Sequence, residues 1–157
     1  MSDKTEYIIT LLKNTDRKYL LISAVIIILF VLLSKDFRIG LLYNHSTRFT
    51  PDKFFSYRKT SMKKGTGNVP GIYVIYNRTK RMYYVGQSDR LISRVNNHLN
   101  GRGNGDVYAD YKYGDRMIIK LIPIKRSGYL SLNKMEKDFI RYFRANTKGY
   151  NKTKGNK

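Results

Sequence analysis

An uncharged run from Tyr19 to Ser34, YLLISAVIIILFVLLS, lies near the start of the chain between Lys18 and Lys35. Eight of the nine residues from Ile22 to Phe30 are apolar, so a helix here has no polar face to turn to water. At 1.5 Å per residue the run reaches about 24 Å, against a hydrocarbon core of about 30 Å. Snorkelling lysines and local thinning of the bilayer close such a gap, and Tyr19 suits the interface. The run therefore reads as a single transmembrane helix over about 19–34, within an N-terminal segment 1–36. A buried helix of a soluble protein and a cleaved signal peptide are the alternatives, although no small-x-small site follows Leu33. Residues 5–12, TEYIITLL, read as a short amphipathic surface helix. Lys4, Lys13, Arg17 and Lys18 before the run balance Lys35, Arg38, Arg48 and Lys53 after it, so the positive-inside count is a tie. The basic C-terminal part tilts the reading toward a single-pass protein with that part in the cytoplasm.

Charge narrows the partner. The 157 residues hold 31 Lys+Arg against 11 Asp+Glu, a net +20. Residues 69–157 alone carry nineteen and six. Such a balance calls for a polyanion, either nucleic acid or an anionic membrane face. With 41% hydrophobic residues the chain can still pack one modest domain. The absence of cysteine excludes a disulfide framework, a zinc-thiolate finger and a Cys nucleophile. Two histidines, His45 and His98, exclude a His-rich metal centre. Residues 37–68 read as a basic connector, with Pro51 and the sequence MKKGTGNVP marking a flexible boundary. Its Phe37, Leu41, Leu42, Phe49, Phe54 and Phe55 are too apolar for a pure linker, and either lie on the membrane or dock on the domain.

The segment from residue 69 carries the chemistry. GIYVIY (71–76) and RMYYVG (81–86) read as strands joined by a turn at 77–80. If Asn77 pairs with Lys80, Tyr73 falls directly opposite Tyr84 as a cross-strand pair. Ser88 or Asp89 caps a helix running to about Asn100, with Gly101 as its stop. Arg94 and His98 lie together on a flank of its apolar stripe, and repel unless the histidine is neutral or an anion sits between them. Residues 101–115 read as a Gly-rich loop with no Walker pattern. MIIKLIP (117–123) is a third strand, and SLNKMEKDFIRYFR (131–144) is a second helix. Glutamate occurs only at Glu6 and Glu136. Glu136 falls on the apolar stripe with Leu132, Phe139 and Ile140, where a charge needs an ion-pair partner, a metal or a raised pKa.

GIY (71–73), YVG (84–86), Arg94, His98, Glu136 on a helix and Gly149-Tyr150-Asn151 follow one another in a pattern that resembles the GIY-YIG nuclease family. The resemblance covers about residues 69–151, and Val85 in place of Ile is its one departure in the name motif. It implies a small α/β (α+β) domain, a three-stranded antiparallel sheet flanked by helices with both tyrosines on the catalytic face. It also implies divalent-metal-dependent hydrolysis of a DNA phosphodiester. Glu136 would bind one ion, Mg²⁺ or Mn²⁺, and Arg94 would hold the scissile phosphate. Tyr73 or His98 would orient or deprotonate the attacking water, and Tyr84 would complete that network. Asn151 would hydrogen-bond around the phosphate or position the active-site strands.

Outside that motif, Lys112, Arg116 and Arg141 are substrate-binding candidates. With Lys120, Lys125, Arg126, Arg144 and Lys148 they offer charge to a phosphate backbone, although each taken alone reads better as a solvated surface charge. The basic tail 152–157 reads as disordered. With no further DNA-reading module in view, the expectation is broad sequence specificity or targeting by a partner. A homodimer would let two sites cut both strands. The functional expectation is a membrane-anchored endonuclease that cuts incoming phage or plasmid DNA. The alternatives are a nuclease of DNA transfer or processing, a non-catalytic membrane-tethered DNA binder, and a protein that binds only anionic lipid.

Overall fold

The computed structural model describes residues 2–14 and 17–155. The side chains of residues 2, 3, 11–14 and 18 lie outside the described residues, among them Lys13 and Lys18 of the charge count and the last two positions of the expected 5–12 helix, as do residues 156 and 157 of the tail. The chain divides into two compact units, residues 1–38 and 39–157.

The first unit holds α1 (Ser2–Asn14) and α2 (Arg17–Leu33) and the start of α3 (Lys35–His45). From Tyr19 to Leu33 the large apolar side chains of α2 are exposed on every side. The helix stops at Leu33, one residue before the expected end, and Ser34 separates it from α3. Among the described residues no single helix is long and apolar enough to cross a membrane. Seventeen residues rise only about 25 Å. By length and composition, Tyr19–Leu33 and Lys35–His45 could cross only together, as a bent pair.

The second unit is built on an antiparallel sheet with strand order β1-β4-β2-β3, formed by β1 (Arg48–Phe49), β2 (Gly71–Asn77), β3 (Met82–Ser88) and β4 (Met117–Pro123). Four strands replace the expected three. The added strand is Arg48–Phe49, which pairs with Lys120 and Ile119. β2 and β4 are runs of β-branched and apolar residues, as strands buried on both faces must be. One face of the sheet is covered by α4 (Pro51–Lys63), α5 (Leu91–Leu99) and α6 (Gly105–Lys112), which enclose Tyr73, Ile75 and Ile119. The other is covered by α7 (Leu132–Tyr142) and the short α8 (Ala145–Lys148), which enclose Ile72, Val74 and Val85. The stretch read as a connector contributes to both cores. Phe49 and Phe54 are buried in the first and Ile39 in the second, with Phe55 and Leu42 packed against them, so these side chains dock on the domain, whereas Leu41 is exposed and Phe37 joins neither core. Pro51 opens α4 at its first turn, where the missing N–H costs nothing.

The hairpin register differs from the expected one. Asn77 pairs with Met82, so Tyr73 lies opposite Gly86 and Tyr84 opposite Ile75. The shift is two residues, which keeps both tyrosines on one face. Asn77 causes it: its Oδ1 accepts from the amides of Thr79 and Lys80, and Arg81 closes the longer turn at φ 57°. Within 101–115, where a loop is expected, Asn104 caps α6 by accepting from Val107 N–H.

Candidate active site

β3 is an edge strand, and the cleft lies beside its C-terminal half. Tyr73 and Tyr84 approach from the α5 side of the sheet, with ring centroids 6.0 Å apart as a diagonal pair. Glu136 reaches the same place from α7 on the other side. Its Oε1 accepts from Gln87 N–H at 3.1 Å and its Oε2 from Gln87 Nε2 at 3.3 Å. The resulting cleft has a volume of about 300 Å³, and Tyr73, Tyr84, Arg94, Glu136 and Asn151 all line it. The structure thus brings together five of the sequence-expected residues. Glu136 is 7% exposed, so an apolar-stripe carboxylate is indeed nearly buried.

His98 does not line the cleft. It is fully buried behind Tyr73, with Nε2 2.8 Å from the Tyr73 hydroxyl. Its Nδ1 accepts from the backbone N–H of Asn104 at 2.9 Å. A backbone amide can only donate, so Nδ1 is bare, the ring proton sits on Nε2, and Nε2–H donates to the tyrosine oxygen. Burial, seconded by the Arg94 charge, lowers the His98 pKa to about 4. The ring is therefore neutral, which removes the Arg94–His98 repulsion without an anion. Its one link to the cleft is the Tyr73 hydroxyl.

Tyr73 keeps its own proton. Burial raises its pKa above the ordinary phenol value, Tyr84 raises it further, and the Arg94 guanidinium only partly opposes them. Because its oxygen already accepts from His98, the hydroxyl hydrogen is left to donate elsewhere. Burial also raises the Tyr84 pKa. Two glycines make this packing possible. A Cβ at Gly86 would sit 2.2 Å from the Tyr73 oxygen, and one at Gly103 would sit 2.4 Å from His98 Nδ1.

Asn151 pairs with the strand. Its Oδ1 accepts from Val85 N–H at 2.9 Å and its Nδ2 donates to Val85 C=O at 2.7 Å. With Tyr150 N–H donating to Tyr83 C=O, the segment satisfies the free edge of β3 and stiffens the strand that carries Tyr84. Of the two expected roles for Asn151, strand positioning is the one its hydrogen bonds serve. Tyr150 is anchored behind it, donating to Asp110 Oδ2 at 2.6 Å and accepting from Asn77 Nδ2 at 2.7 Å.

The other expected contacts are dispersed. Lys112 ends α6 and Arg116 precedes β4, and neither lines the cleft. Arg141 lines a second concavity, on α7 and α8. Lys120 is buried, donating to the carbonyls of Tyr43 and Ser46 at the end of α3, so it is no surface contact for a phosphate. The tail, read as disordered, places Lys152, Thr153 and Gly155 along the cleft. Gln87 and Lys152 are thus site residues that the sequence did not single out.

One carboxylate faces the cleft, and among the described residues no group of three or more His, Cys, Asp or Glu converges on a metal position. That donor set fits a hard ion which takes one carboxylate and completes its shell with water and phosphate oxygens, as Mg²⁺ does.

A family model described as the GIY-YIG catalytic domain matches residues 69–151. No curated protein and no solved structure matches the chain.

Proposed function

The chain belongs to the GIY-YIG family and is an endonuclease acting on phosphodiester bonds; from that premise we propose a membrane-anchored, Mg²⁺-dependent enzyme that hydrolyses DNA. The observation that carries the catalytic part is one small cleft holding an arginine, a protonated tyrosine and a single carboxylate. Arg94 holds the scissile phosphate by charge-assisted hydrogen bonds. The Tyr73 hydroxyl, its oxygen fixed by His98, donates to the attacking water or to a phosphate oxygen and sets the line of attack. His98 is a positioning residue. Tyr84 walls the site, and Asn151 holds its strand in place. Glu136 would hold the ion, which when bound polarises the phosphoryl group and stabilises the leaving 3′ oxygen.

For anchoring, the support is the uncharged α2 with apolar side chains exposed all round. The basic domain is placed on the cytoplasmic side on the same charge argument as above. A nuclease held at the membrane meets DNA as it enters, so cutting of incoming phage or plasmid DNA is the role that fits best. Processing of transferred DNA is the second.

The test is supercoiled plasmid incubated with the full chain in detergent, with Mg²⁺ or with EDTA, beside Glu136→Gln. Expected is metal-dependent nicking that the variant loses by at least about 10²-fold. A folded chain that binds plasmid and never nicks it would replace this reading with a non-catalytic DNA tether.

A further inference from the structure

The charge around the cleft is one-sided. Toward α6 it is flanked by a hollow of balanced charge, lined by Asp106 and Asp110 with Lys80 and Lys152, where Asp110 pairs with Lys80. Toward α7 and α8 the surface turns basic. There a concavity of about 800 Å³ is lined by Lys137, Arg141, Arg144, Lys148 and Lys154. Its one carboxylate, Asp138, accepts from the Tyr129 hydroxyl at 3.2 Å.

The concavity adjoins the cleft, with the tail between them. Ile140 lines both, and the tail runs along their shared edge, with Lys152 on the cleft side and Lys154 on the other. A Cβ at Gly155 would lie 3.4 Å from Glu136 Oε2 and 3.0 Å from Lys137 Cγ, which places the tail directly between the catalytic carboxylate and the basic groove. Arg144 is kept at φ 50°, where a side chain costs about 1 kcal/mol that glycine would not.

We infer that this groove carries the sugar-phosphate backbone of the nucleic acid flanking the scissile bond, so that the strand leaves the cleft across the tail and over α7 and α8. The inference rests on the nuclease reading of the cleft and gives it a direction. Lysines and arginines set along a concave wall match a chain of phosphates spaced a few ångströms apart, and they bind it without reading sequence. Its place beside the cleft that holds Glu136 and Arg94 favours nucleic acid over an anionic membrane. Lys152 brings a second cation, beside Arg94, to the cleft itself.

The test uses the full chain in nonionic detergent with EDTA present, so that binding is measured without cutting. Anisotropy of a labelled 20-base-pair duplex of arbitrary sequence is titrated from 50 to 300 mM salt. Lys137→Gln, Lys148→Gln and Lys154→Gln are combined in one variant, and Lys53→Gln, Lys59→Gln and Lys63→Gln on α4 form the control. The groove variant should lower the slope of log K against log salt by about 2 to 3, close to one per lost phosphate contact, and weaken binding by at least about tenfold at 100 mM. The control should leave the slope unchanged. Equal slopes for both variants overturn the inference. So does an unchanged DNA slope in the groove variant together with loss, measured without detergent, of the salt-sensitive preference of the full chain for phosphatidylserine over phosphatidylcholine vesicles. A chain that binds through the groove yet never nicks plasmid would sink the nuclease reading and leave the groove standing.

Discussion

Gln87 touches Glu136 twice, through its backbone N–H and its side-chain amide, and so fixes where both carboxylate oxygens point. Partners of this kind typically set metal affinity by about 10- to 100-fold. Gln87→Ala is therefore expected to raise the Mg²⁺ midpoint for cutting by that factor and to weaken Mn²⁺ binding seen by EPR, with kcat at saturating metal moving far less. An unchanged midpoint with a fallen kcat would place Gln87 on the substrate instead. Gly86→Ala attacks the tyrosine: its Cβ would collide with Tyr73, so a loss of about 1–3 kcal/mol in a urea melt should accompany a fall in cutting of about 10²-fold. Glu136 was legible in the sequence because a charge on an apolar helical stripe stands out against its period. Gln87 was not, because a polar residue at a strand end has no meaning until α7 packs across that strand. His98 was legible as a member of the site and misplaced within it. Its helical spacing put it beside Arg94, but only the Asn104 amide, brought round by the next loop, shows which nitrogen carries the proton.

At the scale of elements, α5 carries a pH dependence. The His98 pKa lies near 4 in the folded chain and near 6.5 when unfolded. Between those values the unfolded state binds more protons, so stability falls as pH drops from 6.5 toward 4, by up to about 3 kcal/mol, and is unaffected by this group above 6.5. Urea melts at pH 7, 6, 5 and 4 should show that slope, and His98→Gln should flatten it whatever its absolute stability. The three long strands, α5 and α7 were readable from their periods, but the cap expected of Ser88 or Asp89 was not found: Arg90 stands at the start of α5 with no side-chain cap, and Ser88 Oγ only accepts from the Arg90 amide. β1, α4 and α6 were not readable. A two-residue strand exists only by pairing with β4, and α4 hides among basic residues until Phe54 is seen in the core. That burial has a consequence for fragments. Removing one buried Phe side chain costs about 3–5 kcal/mol, against a typical domain stability of about 5–15 kcal/mol. A fragment 65–157 loses Phe49, Phe54 and Ile39 together, so it should lack a cooperative melt by circular dichroism, and 39–157 should show one. A cooperative 65–157 would mean that α4 and β1 are accessories.

For the molecule as a whole, the first unit and the second make opposite demands on solvent. The second unit carries its charge outward and its apolar residues inside, as a water-soluble domain does. α2 does the reverse, with Leu, Ile, Val and Phe exposed around its whole circumference. At about 25 cal/mol per Å² of apolar surface, water is a costly surrounding for such a helix, and the anchoring proposal covers it with lipid, against the alternative of another copy of the chain. The two outcomes separate cleanly. Mixed with neutral phosphatidylcholine vesicles and floated in a density gradient, the full chain should rise with the lipid, and 1 M salt should not release it, because burial of apolar surface is not screened. A fragment 39–157 should stay at the bottom under the same conditions. If the full chain instead stays at the bottom as an oligomer that 39–157 does not form, the helix is an association element and anchoring fails. If it floats only with anionic vesicles and comes off in salt, the basic domain does the binding, and α2 must then be covered by protein.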